Sequence, residues 1–134
     1  MKTLHEVFTE IQDAPTRKER QEILQANNTF LLRTVLQLNF SSNIELDVPS
    51  GNPPLDCVEE YPTKPDVLIK KLGKCIKGSN ISGLKKERLF LDVVEGFTED
   101  DANIICLAKD GKITKKYSRV SESLVKLVFP SFFM

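Results

Sequence analysis

The sequence predicts an all-α fold, a compact bundle of about six to seven short helices forming a single helical domain over residues 1–134. Three observations carry this. Apolar residues recur at i, i+3, i+4 and i+7 along the chain, the spacing of one helix face. Thr, Ser or Asn opens most of these segments, as helix N-caps do. No glycine and no helix-internal proline interrupts the first three segments, since the first glycine is Gly51.

The first helix has Thr3 and Glu6 as a capping box, then Leu4, Val7, Phe8 and Ile11 on one face. Asp13-Ala14-Pro15 ends it. Thr16 and Glu19 repeat the box ahead of a second helix carrying Ile23 and Leu24. Asn27-Asn28 stops that helix and can cap a third, whose broad apolar face is Phe30, Leu31, Leu32, Val35, Leu36 and Leu38. Residues 41–63 change character. Pro49, Pro53, Pro54 and Pro62, with Ser50-Gly51-Asn52, forbid a long helix, so a Pro-rich loop is expected at about 41–63. Within it Ile44, Leu46 and Val48 alternate with Glu45 and Asp47, which suits a short extended stretch.

A fourth helix is expected from about Pro65 to Ile76, with Thr63 as a cap and Val67, Leu68, Leu72 and Ile76 facing inward. The fifth runs from about Gly83 to Glu95 and carries Leu84, Leu89, Phe90, Leu91, Val93 and Val94. Gly96 is a natural C′ residue after it. Thr98 opens the sixth helix, where Glu99, Asp100 and Asp101 complement the positive end of the helix dipole. A basic loop from Lys109 to Arg119 follows. A last helix starts near Ser121 and ends at Phe129-Pro130.

The composition, 40% hydrophobic and 28% charged, is that of a globular protein and excludes a disordered chain. The formal net charge of zero conceals an asymmetry. Residues 1–60 hold five Lys/Arg against ten Asp/Glu, and residues 61–134 hold fourteen against nine. Such a polar molecule has a surface suited to phosphates or an acidic partner. Cys57, Cys75 and Cys106 are odd in number and irregular in spacing, which points to free thiols in a reducing, cytoplasmic setting. A charge appears too early in the first residues for a secretory signal, and no apolar run reaches membrane-spanning length.

No catalytic arrangement is visible, so the chain is expected to act without chemistry and without a cofactor. The single histidine, His5, stands in a first helical turn with no nucleophile near it in sequence. The cysteines lack a CxxC spacing, and one histidine does not complete a zinc set. Cys75 and Cys106 read as packing residues, and no phosphate-binding glycine motif is present.

The strongest functional candidate is the basic loop and the helix start after it. Lys109, Lys112, Lys115, Lys116, Arg119 and Lys126 stand against only Asp110 and Glu122. Ser121 and Ser123 lie where a helix start offers free N–H groups, an arrangement that holds phosphate. Tyr117 is placed to stack or pack on a sugar. A solvated loop with a serine cap accounts for the same residues. Lys70, Lys71, Lys74 and Lys77 form a second basic series, weaker because lysine-rich solvent faces are common.

Several of these stretches resemble the N-terminal, all-helical DNA-binding domain of ATP-dependent DNA ligases, especially that of T-even-type bacteriophages. The likeness rests on Leu4 to Ile11, on Arg17-Lys18-Glu19-Arg20-Gln21-Glu22-Ile23-Leu24, and on Phe30 to Leu38. It returns in Lys109-Asp110-Gly111 and in Val120-Ser121-Glu122-Ser123-Leu124 through Phe129-Pro130. It covers most of the chain but not residues 41–63, and the motifs are short. The chain also resembles a family of small proteins of T-even-type phages.

The resemblance implies a stand-alone module that grips double-stranded DNA, nicked or intact, through its backbone, as an accessory to phage replication, repair or DNA protection. Carried over by position, the contacts fall on Lys112, Lys115, Lys116, Arg119, Ser121 and Ser123. The loop between Gly111 and Val120 is longer and more basic than the ligase turn. The ligation reaction does not carry over. Lys109-Asp110-Gly111 lacks the residue that separates Lys from Asp-Gly in the adenylated ligase motif, and the catalytic domains are absent. The rival reading is a protein-interaction module, an adaptor or inhibitor of a host or phage protein. It would use the acidic N-terminal half or the apolar tail Val128 to Met134, although the same tail could simply close the core.

Overall fold

The computed structural model describes residues 2–41, 45–49, 51, 53–61, 64–75 and 80–133. Among them run eight α-helices, two 3-10 helices and no sheet. The first three helices, α1 (Leu4–Asp13), α2 (Arg17–Ala26) and α3 (Phe30–Phe40), stand where cap and periodicity put them. Thr3 and Glu6 make the full capping box of α1. At α2 only Thr16 contributes a side-chain bond, from the Glu19 N–H. Asn27 closes α2, and Thr29 caps α3 through the Leu32 N–H.

The fourth helix departs from expectation. Helix α4 (Pro65–Lys70) is only six residues long and tightens into a 3-10 helix over Lys71–Cys75. Val67 is 48% exposed and Ile69 takes the inward position instead. Thr63, Ile76 and Lys77 lie outside the described residues. Helix α5 (Gly83–Glu95) has its expected bounds, but Leu84 is 78% exposed, whereas Lys86 is buried. Gly96 closes α5 with ordinary right-handed geometry; it is Gly111, after the next helix, that has φ near +69°.

Helix α6 (Glu99–Lys109) is the centre of the bundle, packed on α1, α3 and α5. Ala102, Ile104, Ile105, Cys106 and Ala108 are all fully buried. Burial on nearly every side explains why this helix shows no clean amphipathic stripe. Helix α8 (Glu122–Val128) packs on α2, and a 3-10 turn over Pro130–Phe133 closes the chain. Phe132 stacks on Phe129 with centroids 4.9 Å apart and both are buried, so these two rings of the apolar tail belong to the core, while Met134 lies outside the described residues.

The Pro-rich segment is laid across α5 and α6 as a strap. Lys86 Nζ donates to Asp47 at 2.9 Å, and the Asp47 N–H donates to the Cys75 carbonyl at 2.8 Å. Further along, the Asp56 N–H donates to Glu95 and the Val58 N–H to the Phe97 carbonyl. Tyr61 donates its hydroxyl to Asp101 at 2.5 Å. With proline removing donors and helix excluded, the Asp47, Asp56 and Val58 N–H groups find their acceptors outside the strap.

Candidate nucleic-acid interface

The segment expected as a basic loop is folded. Helix α6 ends in a Schellman motif: the Gly111 N–H donates to the Ala108 carbonyl and the Lys112 N–H to the Leu107 carbonyl, with Gly111 in the left-handed region. A Cβ at Gly111 would lie 3.7 Å from the Asn39 carbonyl, so the requirement is the backbone angle more than space. This turn delivers the chain into a one-turn helix, α7 (Ile113–Lys116), which also rests on α6. The Ile113 N–H donates to the Asn39 side chain at 3.0 Å.

Ile113, Tyr117 and Val120 point inward and are buried. The Tyr117 ring meets Phe8 edge-on at 5.4 Å, and its hydroxyl lies 3.1 Å from His5 Nδ1. Tyr117 is therefore a core residue and no platform for a sugar. Burial, followed by the nearby Asp100 and Asp101 carboxylates, pushes its phenol above the usual range.

The cations expected to act together are split by the fold. Lys109 is a structural residue: its side chain is 3% exposed and all three ammonium protons are engaged. They go to the carbonyls of Pro49 (2.8 Å) and Gly51 (3.1 Å) and to Asp110 Oδ1 (2.9 Å). Asp110 Oδ2 in turn accepts the Gly51 N–H. The pair clamps the strap, and an ammonium so placed does not reach a phosphate.

Arg119 is also committed. Its Nη1 donates to the carbonyls of Gln12 and Ala14, both at 3.0 Å, and its N–H donates to Gln12 Oε1. A guanidinium on the terminal carbonyls of α1 is a favourable C-terminal cap. Ser121 spends its oxygen as N-cap acceptor for the Leu124 N–H and shares a bond with Ser123. Helix α8 has only seven residues, which weakens any dipole at that end. Lys126 sits 3.7 Å from Glu122 and over the Phe133 ring.

What remains is Lys112, Lys115 and Lys116, all exposed and, among the described residues, in no ion pair, with the Lys116 ammonium 5.6 Å from the centroid of the Tyr117 ring. Their i, i+3, i+4 spacing crowds them on one side of a single turn. Residues 111–121 contain four cations and no acid. In the second series, Lys70 stands over the Phe30 ring at 5.5 Å, Lys71 and Lys74 are exposed, and Lys77 lies outside the described residues.

Sequence reasoning missed the polar residues that brace this region. Gln12 reaches Ser118 and Arg119, and Asp101 is buried, accepting the His5 N–H at 3.0 Å and the Tyr61 hydroxyl. Asp101 thus ties α1 to α6 in addition to sitting in a first turn. These partners are about forty or more residues apart in sequence, and no local pattern announces them. The spacing of Ile113, Tyr117 and Val120, by contrast, was a usable sign of an inward face.

His5 faces Asp100 at 3.9 Å besides touching Tyr117. Burial raises the thiols of Cys57, Cys75 and Cys106 above their ordinary range, which disfavours the thiolate. Among the described residues no group of three His, Cys, Asp or Glu side chains is placed to hold a metal. Nor is any helix there long and apolar enough to cross a membrane.

The fold and this site define an all-helical domain with a lysine-bearing helical turn braced on its core. Residues 7–115 match a family of unknown function (DUF6433), and the chain belongs to that family. No curated protein and no solved structure matches it.

Proposed function

We propose that this protein is a non-catalytic duplex-DNA-binding module that grips phosphates with Lys112, Lys115 and Lys116. The observation that carries the reading is the exposure of these three ammoniums on one short turn, in a stretch without acids and with no ion pair among the described residues. Ile113 and Tyr117 anchor that turn in the core, so the charges are held on a rigid base. Lysines placed in this way neutralise phosphates, release counterions and position a protein without reading sequence. The likeness to the ligase helical domain supports the same reading, as does the helical fold. An accessory role in phage replication, repair or DNA protection follows from that likeness alone. Lys126, half-neutralised by Glu122, is a peripheral contact; Lys109 and Arg119 belong to the scaffold.

The test is fluorescence anisotropy with labelled intact, nicked and single-stranded DNA over a salt series. Wild type is compared with a Lys112→Glu/Lys115→Glu/Lys116→Glu variant whose helical circular dichroism is unchanged. Duplex or nick binding that weakens with salt and collapses in the variant is expected. No binding to any form at low salt would overturn the proposal.

A further inference from the structure

The second lysine series borders an apolar groove. Between α3 and the α4/3-10 segment lies a cavity of about 200 Å³. Leu38, Leu46, Ile69 and Leu72 form its apolar lining, and Phe30, 38% exposed, stands at its edge beneath the Lys70 ammonium. Val67, 48% exposed, adds apolar surface on α4. Large apolar groups left in water cost free energy that a partner's apolar side chain would recover.

The charges on these elements are predominantly positive. Helix α3, helix α4 and the 3-10 segment together carry Arg33, Lys70, Lys71 and Lys74 against Asp66 alone. The Asp66 carboxylate is already used, accepting the Leu31 N–H at 3.0 Å. Two further acids flank the groove residue Leu46: Glu45 is exposed, and Asp47 is paired with Lys86 at 2.9 Å. A phosphate track would have a polar floor. Here leucine and isoleucine make most of the lining, with Thr34 and Gln37 of α3 as its polar members, and Lys70 stands at the edge.

We propose that this groove docks an acidic amphipathic helix of a partner protein. The partner's leucine or phenylalanine would enter between α3 and the 3-10 segment, and its carboxylates would meet Lys70 and Lys71. This is the helix-in-groove mode, in which apolar anchors supply affinity and charge complementarity selects the partner. None of the groove's lining residues comes from α7.

The probe is a labelled model helix of about fifteen residues, with Leu and Phe at i, i+3, i+4 and i+7 and Glu and Asp elsewhere. One control peptide replaces the acids by lysine and another replaces the apolar residues by serine. Two variants probe the groove. Lys70→Glu/Lys71→Glu reverses the charge, and Gly73→Leu fills the mouth at a position where an added Cβ meets nothing within 4 Å.

Saturable binding of the acidic helix alone is expected, weakened about tenfold or more in each variant, with amide shifts confined to α3, α4 and residues 71–75. Duplex-DNA affinity should be untouched by Gly73→Leu, so this proposal and the DNA reading fail separately. The docking proposal is overturned if the serine control binds equally well, if the acidic helix does not bind, or if Gly73→Leu leaves its binding unchanged. Concentration-dependent self-association abolished by Gly73→Leu would also overturn it, by assigning the groove to a second copy of the chain.

Discussion

Lys109 and Lys112 are separated by two residues and face opposite circumstances. The Lys109 ammonium is buried, with every proton bonded to the strap or to Asp110. Lys112 is exposed, as are Lys115 and Lys116 after it. The same side chain fastens a proline-rich segment in one place and offers a bare charge to solvent in the other. Between them lie the Schellman turn and Gly111, which rotate the chain out of the core. A lysine run read as one patch is therefore two devices, and the turn is the border between them.

The largest expected effect lies on the buried side. Lys109→Ala leaves Asp110 as a buried carboxylate without its cation and frees the carbonyls of Pro49 and Gly51. Breaking a buried pair from one side costs roughly 3–5 kcal/mol, so a large drop in the denaturation midpoint should follow. Lys115→Ala should change stability by no more than about 0.5 kcal/mol, as exposed substitutions usually do. Equal stability effects in urea melts of the two variants would erase the distinction.

The exposed side is sharpened by salt. Each phosphate contact contributes about 0.9 to the slope of log K against log salt. Replacing Lys112, Lys115 and Lys116 together by alanine should flatten that slope by up to about 2.7 units at unchanged thermal stability. A lower affinity with an unaltered slope would mean that these lysines support the surface without touching phosphates.

Arg119 should fall between the two. Arg119→Ala removes the guanidinium from the Gln12 and Ala14 carbonyls and should cost about 1 kcal/mol in stability. Its effect on duplex affinity should be smaller than that of the lysine triple. If instead affinity falls as steeply as in the triple while stability holds, Arg119 belongs to the interface.

The legible part of this molecule was whatever depends on neighbours in sequence. Thr3, Thr16 and Ser121 cap helices because their oxygens reach N–H groups three residues on, a relation visible in the letters. The periodic leucines of α1 and α3 were readable in the same way. Val67 and Leu84 were not, because apolar type shows what a side chain prefers and not whether another element arrives to cover it. Helix α7 was missed because the lysines around it read as a loop, although Ile113, Tyr117 and Val120 at i, i+4 and i+7 mark its inward face. The basic run was legible as charge. Its division into clamp, cap and free surface was not, since the partners of Lys109 and Arg119 come from about sixty and more than a hundred residues away.

The smallest effect tests the burial of the braces under α7 and the strap. Both tyrosines are held above the ordinary phenol range, about 10. For Tyr61 the cause is burial and then the hydrogen bond its hydroxyl donates to the Asp101 carboxylate; for Tyr117 it is burial and then the two aspartates. A pKa raised by folding means that the unfolded chain releases its proton first. The stability these phenols contribute is therefore whole below pH 10 or so and declines as the pH climbs through the raised values. The buried thiols act in the same direction from a lower starting point, about 8.5. The chain has two tyrosines, so tyrosinate absorbance reports on these two sites alone. It should stay flat through the ordinary phenol range and rise together with the loss of helical circular dichroism. A midpoint near 10 with the helices intact would mean that Tyr117 is not a core anchor, and α7 would lose the rigid base on which its three lysines depend.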